Sequence, residues 1–160
     1  MMRHALLALA LIGCKAELPA LSDGNGALDA TCSGPFADTV VDTFPTAIDG
    51  KVLLGAPDGL VVMLMVDQVA TVGFIGLGAV TDQQGMDLRV HAMAPAGGGH
   101  AIVHVAGPDM QFRFAGDVMA GTTDVDIAVA TVPAAVYARV IGVDGTVQVD
   151  AFEAIHDTCP

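Results

Sequence analysis

Histidine and arginine are the residues of this chain whose spacing could bring several ionisable side chains to one place. Successive side chains of a strand point to opposite faces, so Arg89 and His91 share one face of the run 88–93. His100 and His104 likewise share one face of the run 100–105. If the two runs pair as a hairpin that matches apolar with apolar residues, all four side chains lie together, because a one-residue slip would bury the charged set.

A second turn extends this predicted face to a further arginine. The Pro108-Asp109 turn is typical of a hairpin loop, and it would place His104 opposite Arg113. The predicted face then comprises Arg89, His91, His100, His104 and Arg113. Such residues are commonly a solvated outer face, but they could also bind an anion or acidic partner, or a divalent metal through two or three imidazoles. We assign no metal, because the arginines oppose a cation.

No catalytic signature accompanies these residues. The only serines are Ser22 and Ser33, and neither lies in a nucleophile-elbow motif. The chain has no tryptophan and one tyrosine, Tyr137, which disfavours a platform for stacking sugars or single-stranded nucleic acid. A formal net charge of −12 disfavours nucleic acid as a partner. We therefore predict a protein that is not an enzyme and that needs no cofactor.

The segments that must position these residues are all predicted to be strands. Short β-branched runs are separated by Gly, Pro and Asp, and few segments show a helical stripe. Ten candidate strands lie between Thr39 and Phe152, among them Lys51–Leu54 and Val125–Val132. We predict an all-β fold, an antiparallel β-sandwich of about 8–10 short strands, with an up-and-down β-barrel as the alternative. The most apolar part, Leu60–Val80, is interpreted as two central strands joined at Asp67-Gln68.

The N-terminus carries a targeting motif. After Arg3, the short apolar run Ala5–Ile12 leads into Leu11-Ile12-Gly13-Cys14. This tetrapeptide resembles the lipobox of bacterial lipoproteins. The resemblance implies that residues 1–13 are a cleaved signal peptide, that Cys14 is lipidated, and that the protein is anchored in a membrane of the cell envelope. By the rule of that family, Lys15 after the lipidated cysteine favours the outer membrane over the inner one.

The cysteine count fits the same interpretation. The chain has three cysteines, and an unpaired thiol is unfavourable in an oxidising compartment. If Cys14 is lipidated, Cys32 and Cys159 are left as the only possible intramolecular disulfide. Residues 14–31 then form the lipidated cysteine and a flexible tether, and residues 32–160 form one β-domain.

These observations predict a membrane-anchored lipoprotein whose exported domain is a binding or structural module of the cell envelope. Its expected partners are the membrane, through the lipid on Cys14, and another envelope protein. The alternative function is a metal-binding protein or enzyme that uses the predicted histidine cluster.

Overall fold

A computed structural model of the protein describes residues 34–93, 98–119 and 121–156. Two 3-10 helices, η1 (Gly50–Leu53) and η2 (Ile127–Ala130), interrupt the strands. The described residues form β1 (Thr39–Phe44), β2 (Val62–Leu64), β3 (Val69–Gly73), β4 (Val80–Thr81), β5 (Leu88–Met93), β6 (Gly99–Ala106), β7 (Arg113–Val118), β8 (Thr123–Val125), β9 (Ala134–Ala135), β10 (Tyr137–Gly145) and β11 (Val147–Ala154).

Nine of these strands form two antiparallel sheets. The five-stranded sheet has the order β1-β3-β10-β6-β7, and the four-stranded sheet has the order β2-β11-β5-β8. Strands β4 and β9 pair separately as a two-stranded ribbon. The sheets do not close into a barrel. The predicted antiparallel β-sandwich is therefore confirmed, and the barrel alternative is wrong.

The core lies between the two sheets. Its largest fully buried side chains include Phe74, Phe152 and Leu88. Val90 in β5 and Val103 in β6 are also fully buried, as their alternation with polar residues predicts. Each such side chain contributes about 1.5–3 kcal/mol through the hydrophobic effect, which makes this interface the main stabilising feature of the fold.

Two of the predicted strands are wrong because an aspartate caps a 3-10 helix within each segment. Residues 51–53 belong to η1, and the carboxylate of Asp49 accepts a hydrogen bond from the N–H of Lys51. In the predicted strand Val125–Val132, only Val125 remains in a strand, and Asp126 caps η2 by accepting from Ala128. Short apolar runs do not by themselves distinguish a buried strand from a buried helical turn.

The apolar segment 60–80 forms two strands, but they belong to different sheets. β2 is an edge strand of the four-stranded sheet, and β3 lies inside the five-stranded sheet. Their connection is tied to β10, because Gly142 donates to Gln68 O (2.9 Å) and accepts from Asp67 N (2.8 Å). A Cβ on Gly142 would lie 2.1 Å from the carbonyl oxygen of Met65, so only glycine fits there. Within the described ranges, no helix has the length and hydropathy to cross a membrane.

The two ends of the described chain meet. Ala37 N donates to Phe152 O (3.0 Å), and Ala154 N donates to Pro35 O (2.7 Å). The backbone N–H of Asp38, the residue after Ala37, donates to the carbonyl of Gly73, the last residue of β3. The chain therefore enters the sandwich at the end where β3 stops and β10 starts. The predicted signal peptide, the tether, Cys14, Cys32 and Cys159 lie outside the described residues.

Asp87 is a fully buried carboxylate that holds two loops. Its Oδ1 accepts a hydrogen bond from the N–H of Gln83 (2.8 Å). Its Oδ2 accepts one from the N–H of Ile127 (3.1 Å), at the start of η2. The residue thus fixes the segment before β5 against η2, and η2 in turn leads into the loop that precedes β9.

Candidate ligand-binding cleft

The predicted His/Arg face is divided between the two sheets. The predicted hairpin of β5 and β6 is wrong, because β5 pairs with β11 and β8 while β6 pairs with β10 and β7. Arg89 and His91 lie in the four-stranded sheet, and His100 and His104 lie in the five-stranded sheet. The alternation of buried and exposed residues is as predicted, but the partner strands are not. The three histidines therefore do not form one metal-binding cluster.

Arg89 and His91 are satisfied by carboxylates of neighbouring strands. Arg89 Nε lies 2.7 Å from Asp124 Oδ1, and Arg89 Nη1 lies 3.6 Å from Glu153 Oε2. His91 Nε2 lies 2.8 Å from the same Glu153 oxygen. The hydrogen bond to Asp124 raises the pKa of Arg89, and it lowers the pKa of Asp124. This group neutralises itself and leaves little positive charge for an external anion.

His100 and His104 have different surroundings on the five-stranded sheet. His100 Nε2 lies 2.8 Å from Asp117 Oδ1. His104 makes an edge-to-face contact with the Phe114 ring, with 6.2 Å between the centroids. Burial lowers the pKa of His104, and the charge of Arg139 lowers it further. Sequence reasoning missed Arg139, which the register places directly opposite His104.

Arg113 lies on the opposite face of its strand from the one predicted. A register shift between Val103 and His104 pairs Arg113 with the buried Val105, so Phe114 takes the position opposite His104. The prediction that Arg113 lies opposite His104 is therefore wrong. Instead, the guanidinium extends toward the loop between η2 and β9, where it reaches Thr131.

Arg113 lines an open cleft at one end of the sandwich. The cleft has a volume of about 310 Å³ and lies between the β6–β7 loop and the loop from η2 to β9. This is the end where the chain enters, because Ala106, the last residue of β6, pairs with Tyr137, which also pairs with Gly73. Loops at the end of a sandwich are common binding sites, since a rigid scaffold positions them. The lining residues are Gly107, Pro108, Asp109, Gln111, Arg113, Thr131, Val132, Pro133 and Ala134.

An unusual backbone conformation orients the arginine. Thr131 has a φ of +54°, a left-handed conformation that is unfavourable for a β-branched residue. In this conformation its hydroxyl accepts a hydrogen bond from Arg113 Nη1 at 2.9 Å, and its carbonyl lies 3.4 Å from the same nitrogen. Met110, in the facing loop, has the same φ of +54°. Strain on both sides of a cleft is typical of a functional site.

The charge of Arg113 is uncompensated, in contrast to the other arginines of the described chain. Arg89 has carboxylates within 4 Å, and Arg139 Nη2 lies 3.4 Å from Asp42 Oδ2. In the described part of the chain, no carboxylate comes within 4 Å of the Arg113 guanidinium. On a chain with a net charge of −12, this makes the cleft a local site for a negative group.

The cleft pairs this donor with an acceptor and with apolar walls. Asp109 is its carboxylate, and its Oδ1 accepts a hydrogen bond from Gln111 N at 3.2 Å. Pro108, Val132 and Pro133 provide apolar surface. A guanidinium can bind a carboxylate through two parallel hydrogen bonds, whereas a carboxylate accepts hydrogen bonds from hydroxyls. The arrangement therefore suits a small ligand that carries both an acid group and hydroxyl groups.

Three carboxylates form the only group of potential metal ligands found in the described ranges. Oxygen atoms of Asp82, Asp87 and Asp126 lie within 4.8 Å of one another. Asp87 already accepts two backbone hydrogen bonds, and Asp126 accepts one from Ala128. These contacts account for the carboxylates as anchors of the loops beside η2.

Comparisons with known proteins bear on the fold. No family model matches the chain, and no curated protein matches it. Among solved structures, the fold is similar to that of a carbohydrate-binding module, the CBM32 of AlyQ, in complex with 4,5-unsaturated mannuronic acid. The match has a TM-score of 0.53 and 12% sequence identity, and it covers 77% of this chain and 98% of that chain. At this identity the similarity shows a shared β-sandwich architecture and nothing more.

Proposed function

We propose that this protein is a binding module of the cell envelope, without catalytic activity, that holds an acidic sugar in the cleft around Arg113. The observation that carries the proposal is the guanidinium of Arg113, which Thr131 orients toward an open cleft and which no carboxylate of the described chain neutralises. A sugar acid would bring the missing negative charge.

The chemistry of the cleft supports a sugar acid over a simple anion. Arg113 would bind the carboxylate, and Asp109 would accept hydrogen bonds from ring hydroxyls. The apolar walls suit the carbon face of a sugar ring. The volume of about 310 Å³ lies at the lower end of the usual range for small-molecule sites and fits a ligand of one or two rings. The solved module of similar fold holds an unsaturated uronic acid, which is a ligand of this class.

Anchoring is the second part of the proposal, and its support is the sequence. The lipobox-like motif before Cys14 implies diacylation, and two or more acyl chains are enough for stable membrane attachment. Lys15 favours the outer membrane. Growth of the native host with a radiolabelled fatty acid should label the full chain, and Cys14→Ser should abolish the label. Labelling that persists in this variant would contradict the assignment of the anchor.

Ligand binding can be measured directly on the full chain in detergent. Isothermal titration with D-mannuronic acid should show binding, and the uncharged sugar D-mannose should bind at least tenfold more weakly. Arg113→Gln should weaken binding of the acid by about tenfold or more, since a hydrogen bond to a charged group contributes about 1.5–3 kcal/mol. Arg113→Lys should restore part of the affinity, because it keeps the charge but loses the planar fork.

A matched control is available on the opposite sheet. Arg89→Gln removes the same charge from the surface, but Arg89 lies outside the cleft and is paired with Asp124. It should leave the affinity unchanged within twofold. Equal losses in Arg89→Gln and Arg113→Gln would mean that net charge, and not the cleft, controls binding. Equal affinity for mannose and mannuronic acid would likewise contradict the proposed site.

A further inference from the structure

We infer that the ligand is a linear acidic oligosaccharide, and that a second subsite around Arg139 and His104, on the outer face of the five-stranded sheet, binds a further acidic unit of the same chain. This inference rests on the proposed function, because it extends the Arg113 cleft to a longer ligand. Its basis is a row of polar and aromatic side chains that crosses all five strands.

The strand register defines this row. Asp42 in β1 pairs with Thr71 in β3, and Thr71 pairs with Arg139 in β10. Arg139 pairs with His104 in β6, and His104 pairs with Phe114 in β7. Residues directly opposite one another on neighbouring strands have their Cβ atoms about 4.5–5.5 Å apart and point to the same face. Thr71 is fully buried and holds Arg139, so the groups of the row that a ligand could reach are those of Asp42, Arg139, His104 and Phe114.

Arg139 is held in a fixed orientation with donors left over. Its Nε donates to Thr71 Oγ1 at 2.9 Å, and its Nη2 lies 3.4 Å from Asp42. The ring of Phe112 covers one face of the guanidinium, with 3.7 Å from Cζ to the ring centroid. Among the described residues, nothing accepts a hydrogen bond from Nη1. A preorganised guanidinium with an open edge is suited to binding a carboxylate.

His104 adds a second polar group beside this edge. Its ring contacts Phe114, and the structure assigns it no hydrogen-bond partner in the described chain. A neutral imidazole can donate or accept a hydrogen bond, so it can bind a carboxylate or a sugar hydroxyl. Phe114 is 43% exposed and provides a ring edge next to it. Together these groups provide donors, an acceptor and aromatic surface for a hydroxylated acid.

The two subsites are close enough for one oligosaccharide. Gly107, on the rim of the cleft, directly follows the end of β6 and lies three residues after His104. At about 3.3 Å per residue, the distance along the strand is roughly 10 Å. Phe112 covers Arg139, and its chain neighbours Gln111 and Arg113 both line the cleft. A chain of several sugar units that leaves the cleft over this rim would reach Arg139.

Hydrogen-bonding chemistry favours a saccharide over an acidic peptide as the occupant. Asp42 contacts only Nη2 of Arg139, so the Nη1 edge of the guanidinium remains able to bind a ligand carboxylate. Asp42 ends the row with an exposed carboxylate, which can accept hydrogen bonds from sugar hydroxyls, whereas the ionised side chains of an acidic peptide have no donor to offer it. Poly-L-glutamate is therefore the appropriate competitor in the test.

The test compares ligands of different length on the full chain in detergent. The quantity measured is the ratio of affinities for the mannuronic acid hexamer and the monosaccharide. In the wild type this ratio should exceed tenfold. Arg139→Gln should reduce the ratio at least fivefold, because it removes the charge and the free edge of the second subsite. Arg89→Gln, on the other sheet, should leave it unchanged. A longer oligomer can bind even a single site in several ways, which by itself raises the ratio. The decisive comparison is therefore between the ratio for Arg139→Gln and the ratio for Arg89→Gln.

The outcomes separate the two proposals. If neither the monosaccharide nor the hexamer binds, the proposed function itself is wrong. If both bind in a way that depends on Arg113, but Arg139→Gln and Arg89→Gln give the same ratio as the wild type, the function stands and the second subsite is wrong. If poly-L-glutamate of equal charge binds as tightly as the hexamer, the assignment to an acidic saccharide is wrong. A change in urea midpoint measured for each variant identifies any loss that comes from unfolding.

Discussion

Replacement of Asp87 by alanine should strongly destabilise the protein, although the substitution removes only one small polar side chain. Asp87 is fully buried, and each carboxylate oxygen accepts one backbone hydrogen bond. In the variant, the N–H groups of Gln83 and Ile127 lose their acceptor. A buried donor without a partner costs about 1–3 kcal/mol.

The two donors differ in their access to water. Ile127 is fully buried, so its N–H cannot be rehydrated without opening η2. Gln83 is exposed, so water can replace the carboxylate there at smaller cost. Loss of both hydrogen bonds destabilises the folded protein, whereas removal of the buried carboxylate removes the cost of taking a charged group out of water. We expect a net destabilisation of about 3 kcal/mol. Asp87→Asn keeps one acceptor oxygen and should cost about 1–2 kcal/mol.

Urea unfolding followed by circular dichroism measures these effects. With a slope of about 2 kcal/mol per molar urea, Asp87→Ala should lower the midpoint by about 1.5 M, and Asp87→Asn should fall between it and the wild type. Asp49→Ala is the matched control, because Asp49 also accepts a backbone hydrogen bond, but from the exposed residue Lys51 in η1. It should cost less than about 1 kcal/mol. If Asp87→Ala and Asp49→Ala shift the midpoint equally, the role given to the buried carboxylate is refuted.

Three further predictions concern other parts of the molecule. Gly142→Ala should lower the urea midpoint or prevent folding, because the new Cβ would lie 2.1 Å from a backbone carbonyl oxygen. A midpoint equal to that of the wild type would contradict the close contact between β10 and the β2–β3 connection. Thiol titration of the denatured, unreduced protein should find no reactive Cys32 or Cys159, since the first and last described segments of the chain are joined by backbone hydrogen bonds. Two free thiols would exclude the disulfide. Because Arg89 lowers the pKa of Asp124, their ion pair should contribute stability above the unfolded pKa of about 3.9 and lose it as the pH falls through the lower, folded value. The wild type should be more stable than Arg89→Gln by about 0.2–1 kcal/mol at pH 6, as is usual for an exposed ion pair, and this difference should disappear toward pH 2. A difference that does not depend on pH would contradict this prediction.

Alternation along the strands predicts which side chains face the core, but it does not identify the partner strand. The pattern around His91 and His104 is the same whether β5 and β6 pair with each other or lie in opposite sheets. The prediction assumed a local hairpin, whereas the chain crosses from one sheet to the other between β5 and β6. Strand β1, by contrast, has the predicted bounds, Thr39–Phe44. Its register with β3 depends on contacts across the sheet and could not be predicted from the sequence.

The site illustrates the same limit. The sequence makes Arg113 a candidate, but for a face that it does not join, because a register shift in the pairing of β6 with β7 reverses the side to which it points. The role of Thr131 could not be predicted from the sequence, because it arises from a left-handed backbone conformation. Glycine is the residue that usually adopts this conformation, and nothing in the sequence indicates it at Thr131. Arg139 lies in a predicted strand, and only the pairing of β10 with β3 and β6 brings it beside Thr71 and His104.

The chain enters the sandwich at the same end as the cleft. With the proposed lipid on Cys14, which residues 15–31 separate from Cys32, the cleft would lie at the membrane-facing end of the domain. A glycan attached to the same membrane would be confined to a thin layer next to the cleft, so its local concentration would exceed that of the same amount of glycan free in solution. A glycan on an opposing surface would have to reach around the domain. The proposed module would therefore favour glycans on its own membrane over the same glycans in solution.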